Sequence, residues 1–428
     1  MKQHYIKSRG LWIVLLLLFT IVMNAQSLTL QQCYQSAQEL SPVNRQKLYY
    51  SSIAELEEKN ASSIDYPSLW LNGRLSYQSD VFTLPFTTPD VENPEIPREW
   101  YQLNLSLNQR IYDGGQSRAS RDLAVATARV NQQQVTVELY QINQLINELF
   151  FGALIAQENE RILDNLKSAL INQLDEVASR VKNGVLLASN AHILKKEILT
   201  TEQLLLEIGH NKSALLSMLS RWVEKEIPQT TVLKIPTFDA IDSGTLSINR
   251  PEMTLFDLQA EQIEASRSLL TIKDHPNISA FAEGGVGRPN PYDVFDTDLS
   301  GFYIAGIKLK WRLLDWGSNK NDLKILELKS DVIASKKDDF KRKTSISMLE
   351  EHADIGKFEA LIEKDKEILS LQEEIVNESY TQLKNGLITS TQYVIELSNQ
   401  TRARTNTKIH ELMLLKTTAD LLVKSGNN

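Results

Sequence analysis

Ile111-Tyr112-Asp113-Gly114-Gly115 recurs 202 residues later as Leu313-Leu314-Asp315-Trp316-Gly317. At the same offset, Val181-Lys182-Asn183-Gly184-Val185 recurs as Leu383-Lys384-Asn385-Gly386-Leu387. Upstream, Ser41-Pro42-Val43 matches Arg250-Pro251-Glu252 and Tyr66-Pro67 matches His275-Pro276, both at an offset of 209. Four pairs on two consistent offsets mark an internal duplication. The offsets differ because the first half carries extra residues between Pro67 and Asp113.

Proline placement gives the duplication its structural meaning. All 12 prolines of the 428 residues fall within 42–97 or 228–291. A proline inside a helix removes a hydrogen bond and clashes with the preceding turn, so the proline-free stretches are free to form very long helices. The pattern predicts helices at about 28–63, 116–182 and 188–221 in the first half, and at about 250–273, 318–384 and 390–425 in the second. A span of 116–182 would be about 100 Å long at 1.5 Å per residue. Asn183-Gly184 and Asn385-Gly386 stop the long helices, since glycine accepts the left-handed conformation that ends a helix. Leu145, Leu149, Ile155, Ile162, Leu166 and Leu170 recur every three to four positions or at multiples of that spacing, as in helices packed side by side.

Between the helices the period changes to two. Leu69, Leu71, Leu75 and Tyr77 alternate with Trp70, Asn72, Arg74 and Ser76, and Tyr101, Leu103, Leu105 and Leu107 alternate with Gln102, Asn104, Ser106 and Asn108. In the second half Tyr303, Ala305, Ile307 and Leu309 alternate with residues that include Lys308 and Lys310. Strands are expected at about 66–79, 100–111, 276–287 and 301–314, each with one apolar and one polar face. An apolar face on an open four-stranded sheet invites edge-to-edge aggregation. Against lipid, every backbone group must be paired, so the sheet must close. Four strands are too few for a membrane barrel, whereas three chains supply twelve. The expected fold class is therefore mainly α with a membrane β-barrel part, built from duplicated helix–strand–strand–helix halves in a homotrimer. Trp70, Tyr77, Trp100, Tyr101, Tyr303 and Trp311 are the aromatics expected at the membrane interfaces, against outer-membrane lipids.

Composition narrows the function classes. With 46 basic against 54 acidic residues, the chain lacks the charge of a nucleic-acid binder. Its single cysteine, Cys33, excludes an internal disulfide framework. Lys2, Lys7 and Arg9 precede an apolar run at 11–23 and then Asn24-Ala25-Gln26, which reads as a cleavable signal peptide over 1–25. The remainder divides into a first repeat at 26–227, a linker at 228–249 and a second repeat at 250–428.

With these features in place, the chain resembles the TolC-like outer-membrane factors of Gram-negative export systems. The resemblance rests on the duplicated plan, the Asp-x-Gly joints, the turns at Gly184 and Gly386, and a second hairpin segment running from Tyr380 through Lys384-Asn385-Gly386 to Leu397. It implies a homotrimeric channel-tunnel in the outer membrane with its helices in the periplasm. A periplasmic adaptor would dock on it, and an inner-membrane RND or ABC transporter would feed it, for efflux or type I secretion. The turns bearing Arg180, Asn183, Gly184, Asn385 and Gly386 would be the docking tips. The family's best-known member closes its entrance with aspartates six and nine residues after the tip glycine. Here those positions hold Asn190 and Ile193 in the first half and Gln392 and Ile395 in the second, so no acidic ring is matched. A constriction is still expected near Asn190, Gln392 and the neighbouring Glu396.

No residues point to catalysis. Asp113 with Gly115, and Asp315 with Gly317, read as helix-capping joints between strand and helix rather than paired carboxylates. The six histidines lack metal-ligand spacing, and Gly284-Gly285-Val286-Gly287 has no phosphate-binding context. A non-enzyme without cofactor or metal is expected. The competing expectation is a soluble periplasmic coiled-coil interaction protein.

Overall fold

The structure is a computed structural model that describes residues 27–63, 65–82, 95–238 and 247–428. The signal-peptide stretch 1–25 and residues 85–94 of the proline- and acid-rich loop lie outside the described residues. The elements in order are β1 (Ser27–Leu28), α1 (Leu30–Leu40), α2 (Arg45–Ser63), β2 (Ser68–Tyr77), β3 (Glu99–Tyr112), α3 (Gln116–Lys182), α4 (Ala188–Trp222), β4 (Val232–Leu233), α5 (Pro251–Thr271), β5 (Asn277–Arg288), β6 (Ser300–Lys310), α6 (Ser318–Lys384) and α7 (Ser390–Ser425).

Three expectations need correction. The first helix is not continuous over 28–63. Ser41 is extended and caps a 3₁₀ turn, Pro42–Asn44, that separates α1 from α2. Pro42 has no N–H for a continuing helix, and it disfavours the α conformation at Ser41. The last strand ends at Lys310 rather than 314, because its partner strand begins at Asn277, opposite Lys310. Pro276 comes just before and cannot donate to a longer ladder. Trp311 instead turns its indole N–H to the carbonyl of Asp274 at 3.0 Å. Finally, the stretch 228–249 is more than a linker, since β4 pairs in parallel with β1. Gln157 clamps β4 by giving and receiving hydrogen bonds at the Leu233 backbone.

The chain forms two compact units. The first comprises the described residues up to Arg45, Val135–Met253 and Asp339–Asn428. One of its cores gathers Cys33, Tyr34, Ile146, Phe150, Phe151 and Leu154 with Leu216, Leu219 and Leu412. Burial there pushes the Cys33 thiol up to about 12, so it stays an inert apolar filler. A buried polar relay crosses this core. Asn147, fully buried, accepts from the Tyr34 hydroxyl and donates to Asp420 Oδ1 at 2.7 Å, and Lys416 donates to Asp420 Oδ2 at 2.6 Å. Burial, reinforced by the Asp420 charge, raises the Tyr34 phenol above its ordinary range and keeps it a donor. The second core packs Leu166, Leu170, Val177, Leu194, Val376, Leu383, Tyr393 and Leu397 beneath the two hairpin turns.

The second unit comprises Gln46–Gln134 and Thr254–Asp338. It holds a four-stranded antiparallel sheet of order β2-β3-β5-β6. The two strands of each half are neighbours, and β3 joins β5 across the duplication. Among the described residues, neither outer strand has a further partner within the chain.

Candidate functional site

The register of this sheet sorts its side chains into two faces, because alternate residues of a strand point to opposite sides and paired residues share a side. Leu71, Leu105, Gly284 and Tyr303 form one row, flanked by Leu69, Leu107, Ala282 and Ala305 on one side and Gly73, Leu103, Val286 and Gly301 on the other. Every member is apolar except for the tyrosine hydroxyl. The interleaved rows on the opposite face include Asn72, Asn104 and Gly285, then Trp70, Ser106 and Glu283, then Arg110, Ser279 and Lys308. Asn72 donates to Ser106 Oγ at 3.0 Å, and the Asn104 amide donates to Glu283. Leu69, Leu71, Leu105, Ile307 and Leu309 are all exposed, and Tyr303 reaches 87 %. Burying each such side chain would be worth about 1.5–3 kcal/mol, so within one chain this face forgoes a large stabilisation.

A bulge between Arg110 and Tyr112 breaks the alternation. Tyr112 pairs with Ile278, which lies opposite Leu309, and so it joins the apolar face. Plain alternation places it with the polar set, and nothing in the sequence signals the extra residue. The aromatics singled out from sequence separate accordingly. Tyr77, Tyr101 and Tyr303 lie on the apolar face, while Trp70 and Trp100 lie on the polar face. Trp100 turns its indole to the Pro97 carbonyl at 3.2 Å, and Trp311 lies beyond the strand.

At the strand-to-helix joints the two halves match atom for atom. Asp113 accepts from the Gly115 N–H at 2.8 Å and the Ser117 N–H at 2.6 Å; Asp315 accepts from Gly317 at 2.9 Å and Asn319 at 2.6 Å. The N–H groups of Asn319 and Gly317 hold the Asp315 carboxyl below its ordinary range. At Asp113, desolvation pushes upward, but the bonds from Ser117 and Gly115 outweigh it and the net shift is downward. Gly114 sits at φ +67°, and a Cβ there would lie 2.5 Å from the His275 Cβ. The corresponding residue in the second half, Trp316, holds φ +57° with its side chain 88 % exposed. Gly114→Ala is therefore expected to destabilise by about 2–3 kcal/mol, from left-handed strain plus the clash. Trp316→Gly should be neutral or stabilising. Thermal melts of the two variants check the asymmetry, and equal midpoints would refute it.

The hairpin turns are also built alike. Gly184 lies at φ +73° and Gly386 at φ +72°. Val185 N–H reaches the Arg180 carbonyl at 2.9 Å and Leu387 N–H the Gln382 carbonyl at 2.9 Å, closing both helix ends in the Schellman manner. Asn183 and Asn385 donate their backbone N–H to Ser179 and Thr381. Arg180 joins the two turns, donating from its guanidinium to the Lys384 carbonyl at 3.1 Å. Val185, Leu187 and Leu387 are exposed apolar side chains at the turns.

The side chains expected at a constriction are all hydrogen-bonded locally. Gln392 completes a capping box with Thr389. Asn190 donates to the Leu187 carbonyl at 3.3 Å, and Glu396 accepts from Gln372 at 2.9 Å and Asn399 at 3.3 Å. The capping-box signal was present in the sequence as Thr389-x-x-Gln392.

Among the described residues no group of three His, Cys, Asp or Glu is placed to hold a metal, and no helix is long and apolar enough to cross a membrane. No protein-family model matches the sequence, and no curated protein does. Solved structures do match along nearly the whole chain. The outer membrane protein VceC from Vibrio cholerae is 16 % identical, with 93 % of this chain and 97 % of that one covered at a TM-score of 0.63. The Campylobacter jejuni CmeC outer membrane channel is 12 % identical, covering 93 % and 85 % at 0.65. The Neisseria gonorrhoeae MtrE outer membrane channel in its open state is 14 % identical, covering 93 % and 88 % at 0.64. At these identities the likeness is one of fold: the chain shares the fold of these solved outer membrane channels.

Proposed function

We propose that the chain is one third of a passive export duct in the outer membrane of a Gram-negative bacterium. The observation that carries this reading is the sheet, whose register gathers an exposed apolar face on one side and polar and charged groups on the other, with both edges unpaired among the described residues. Three copies side by side would pair those edges and close twelve strands, with the apolar face toward lipid and the polar face toward water. The long helices would continue the duct into the periplasm. The fold shared with outer membrane channels supports the same arrangement.

In this reading Tyr77 and Tyr101, at the loop end of the apolar face, and Tyr112, at the other end, sit at the two membrane interfaces. The exposed Val185, Leu187 and Leu387 make the hairpin turns the surface for a periplasmic adaptor, which would couple the duct to an inner-membrane RND or ABC transporter. A constriction at Asn190, Gln392 and Glu396 would close by helix packing rather than by an acidic ring, since each of these side chains is already engaged. The duct performs no chemistry and needs no cofactor.

Fractionation of the natively expressed protein tests the proposal. The expected product is a detergent-extracted trimer that resists SDS unheated and collapses to monomers on boiling. Recovery as a water-soluble periplasmic monomer would instead establish the interaction-protein alternative.

A further inference from the structure

The charges on the polar face of the sheet are unequal. Its rows carry Arg74, Arg110, Lys308 and Lys310 against a single acid, Glu283. Three of the four cations cluster near the helix joints. Arg110 and Lys308 share a row across Ser279, and Lys310 lies next along β6, opposite Asn277. Arg74 stands apart in the half nearer the loops, opposite Gln102. Among the described residues none of the four forms an ion pair across the sheet, whereas Glu283 is engaged by the Asn104 amide. One guanidinium nitrogen of Arg110 is shielded from solvent and has no hydrogen-bond partner. Phe281, one row away, lies against Gly306 and adds a low-dielectric wall beside the cations.

We infer that this face forms an anion-selective segment of the duct, with Arg110, Lys308 and Lys310 as its selectivity residues. The inference rests on the barrel reading, since only closure turns the polar face inward. Twelve strands about 4.8 Å apart and tilted as in membrane barrels close at a backbone radius of about 12 Å. Inward side chains shorten the distance from charge to axis to less than the screening length of about 8–10 Å at ordinary salt. The ring of nine cations that three chains supply is then felt by every ion crossing it. Small anions and acidic organic solutes would be concentrated at the ring, and cations repelled.

The test is the reversal potential of purified trimers in a planar bilayer under an asymmetric KCl gradient. The expected sign is that of chloride preference, weakening as total salt rises. Lys308→Glu with Lys310→Glu should lower the chloride-to-potassium permeability ratio by roughly threefold or more. The milder Lys308→Gln with Lys310→Gln should move the ratio toward one, and it guards against a charge-reversed barrel that fails to assemble. Glu283→Gln should raise the ratio. A conducting wild-type trimer that prefers potassium, or a ratio unmoved by both lysine pairs, overturns the selectivity assignment while leaving the duct intact. Trimers that never conduct would overturn the duct reading, and the selectivity with it.

Discussion

Leu105→Lys is expected to abolish the proposed SDS-resistant trimer, whereas Ser106→Lys, one residue along, is expected to leave it in place. The contrast follows from register. Leu105 lies in the apolar row with Leu71, Gly284 and Tyr303, while Ser106 lies in the polar row with Trp70 and Glu283. In the proposed barrel Leu105 would face lipid near the bilayer midplane, where a lysine costs about 2–4 kcal/mol per chain, and a trimer would bear that cost three times. At Ser106 the ammonium would instead meet water and the Glu283 carboxylate. Leu309→Lys is on the same face as Leu105 but nearer the joint, so a smaller loss is expected there. Heat-modifiability on gels reads all three variants. Loss of the trimer in both Leu105→Lys and Ser106→Lys, or in neither, would show that the face assignment is wrong.

Asn147→Leu is expected to be the most damaging single change in the helical unit. The substitution nearly conserves volume, so packing loss is small, but it removes an acceptor from the Tyr34 hydroxyl and a donor from Asp420. Each buried polar group left unpaired costs about 1–3 kcal/mol, so about 3 kcal/mol in sum is reasonable, and more if the Asp420–Lys416 pair relaxes with it. The relay ties α1 to α3 and α7. Calorimetry should show a midpoint lowered by several degrees, with Tyr34→Phe showing a smaller drop because the carboxylate keeps its amide partner. A larger drop for Tyr34→Phe than for Asn147→Leu would place the linchpin at the phenol instead.

Much of the fold is legible in the sequence because its signals are long. A proline-free run with an Asn-Gly stop leaves little choice but a long helix, and strict alternation over Leu103, Leu105 and Leu107 leaves little choice but a two-faced strand. What escapes reading is short or local. β1 and β4 hold two residues each, too few for any periodicity to show. The break at Ser41 depends on one proline inside an otherwise helical composition, and the end of β6 depends on where its partner starts. The bulge that turns Tyr112 to the apolar face depends on pairing with β5, whose residues lie far along the chain. For the candidate site, the glycine turns and the capping aspartates were readable from residue type. The capping of Gln392 against Thr389 has a signal in the residue spacing, whereas the bond from Gln372 to Glu396 depends on how two separate helices pack.

The Gly114 joint carries a consequence for the two repeats as modules. The joint of the first repeat closes against His275, a residue of the second. The first hairpin turn is tied to the second through Arg180 and Lys384, and the relay in the core takes Asn147 from one half and Asp420 from the other. Sequence symmetry has therefore outlived structural independence. The first repeat expressed alone lacks the His275 against which its joint closes, and the second lacks the Arg180 that donates to its hairpin turn. Doubling either one in a synthetic gene would put Tyr66 where Gly114 now meets His275, or Trp316 where the chain now has Gly114. The two halves have become complementary parts that must be inherited together.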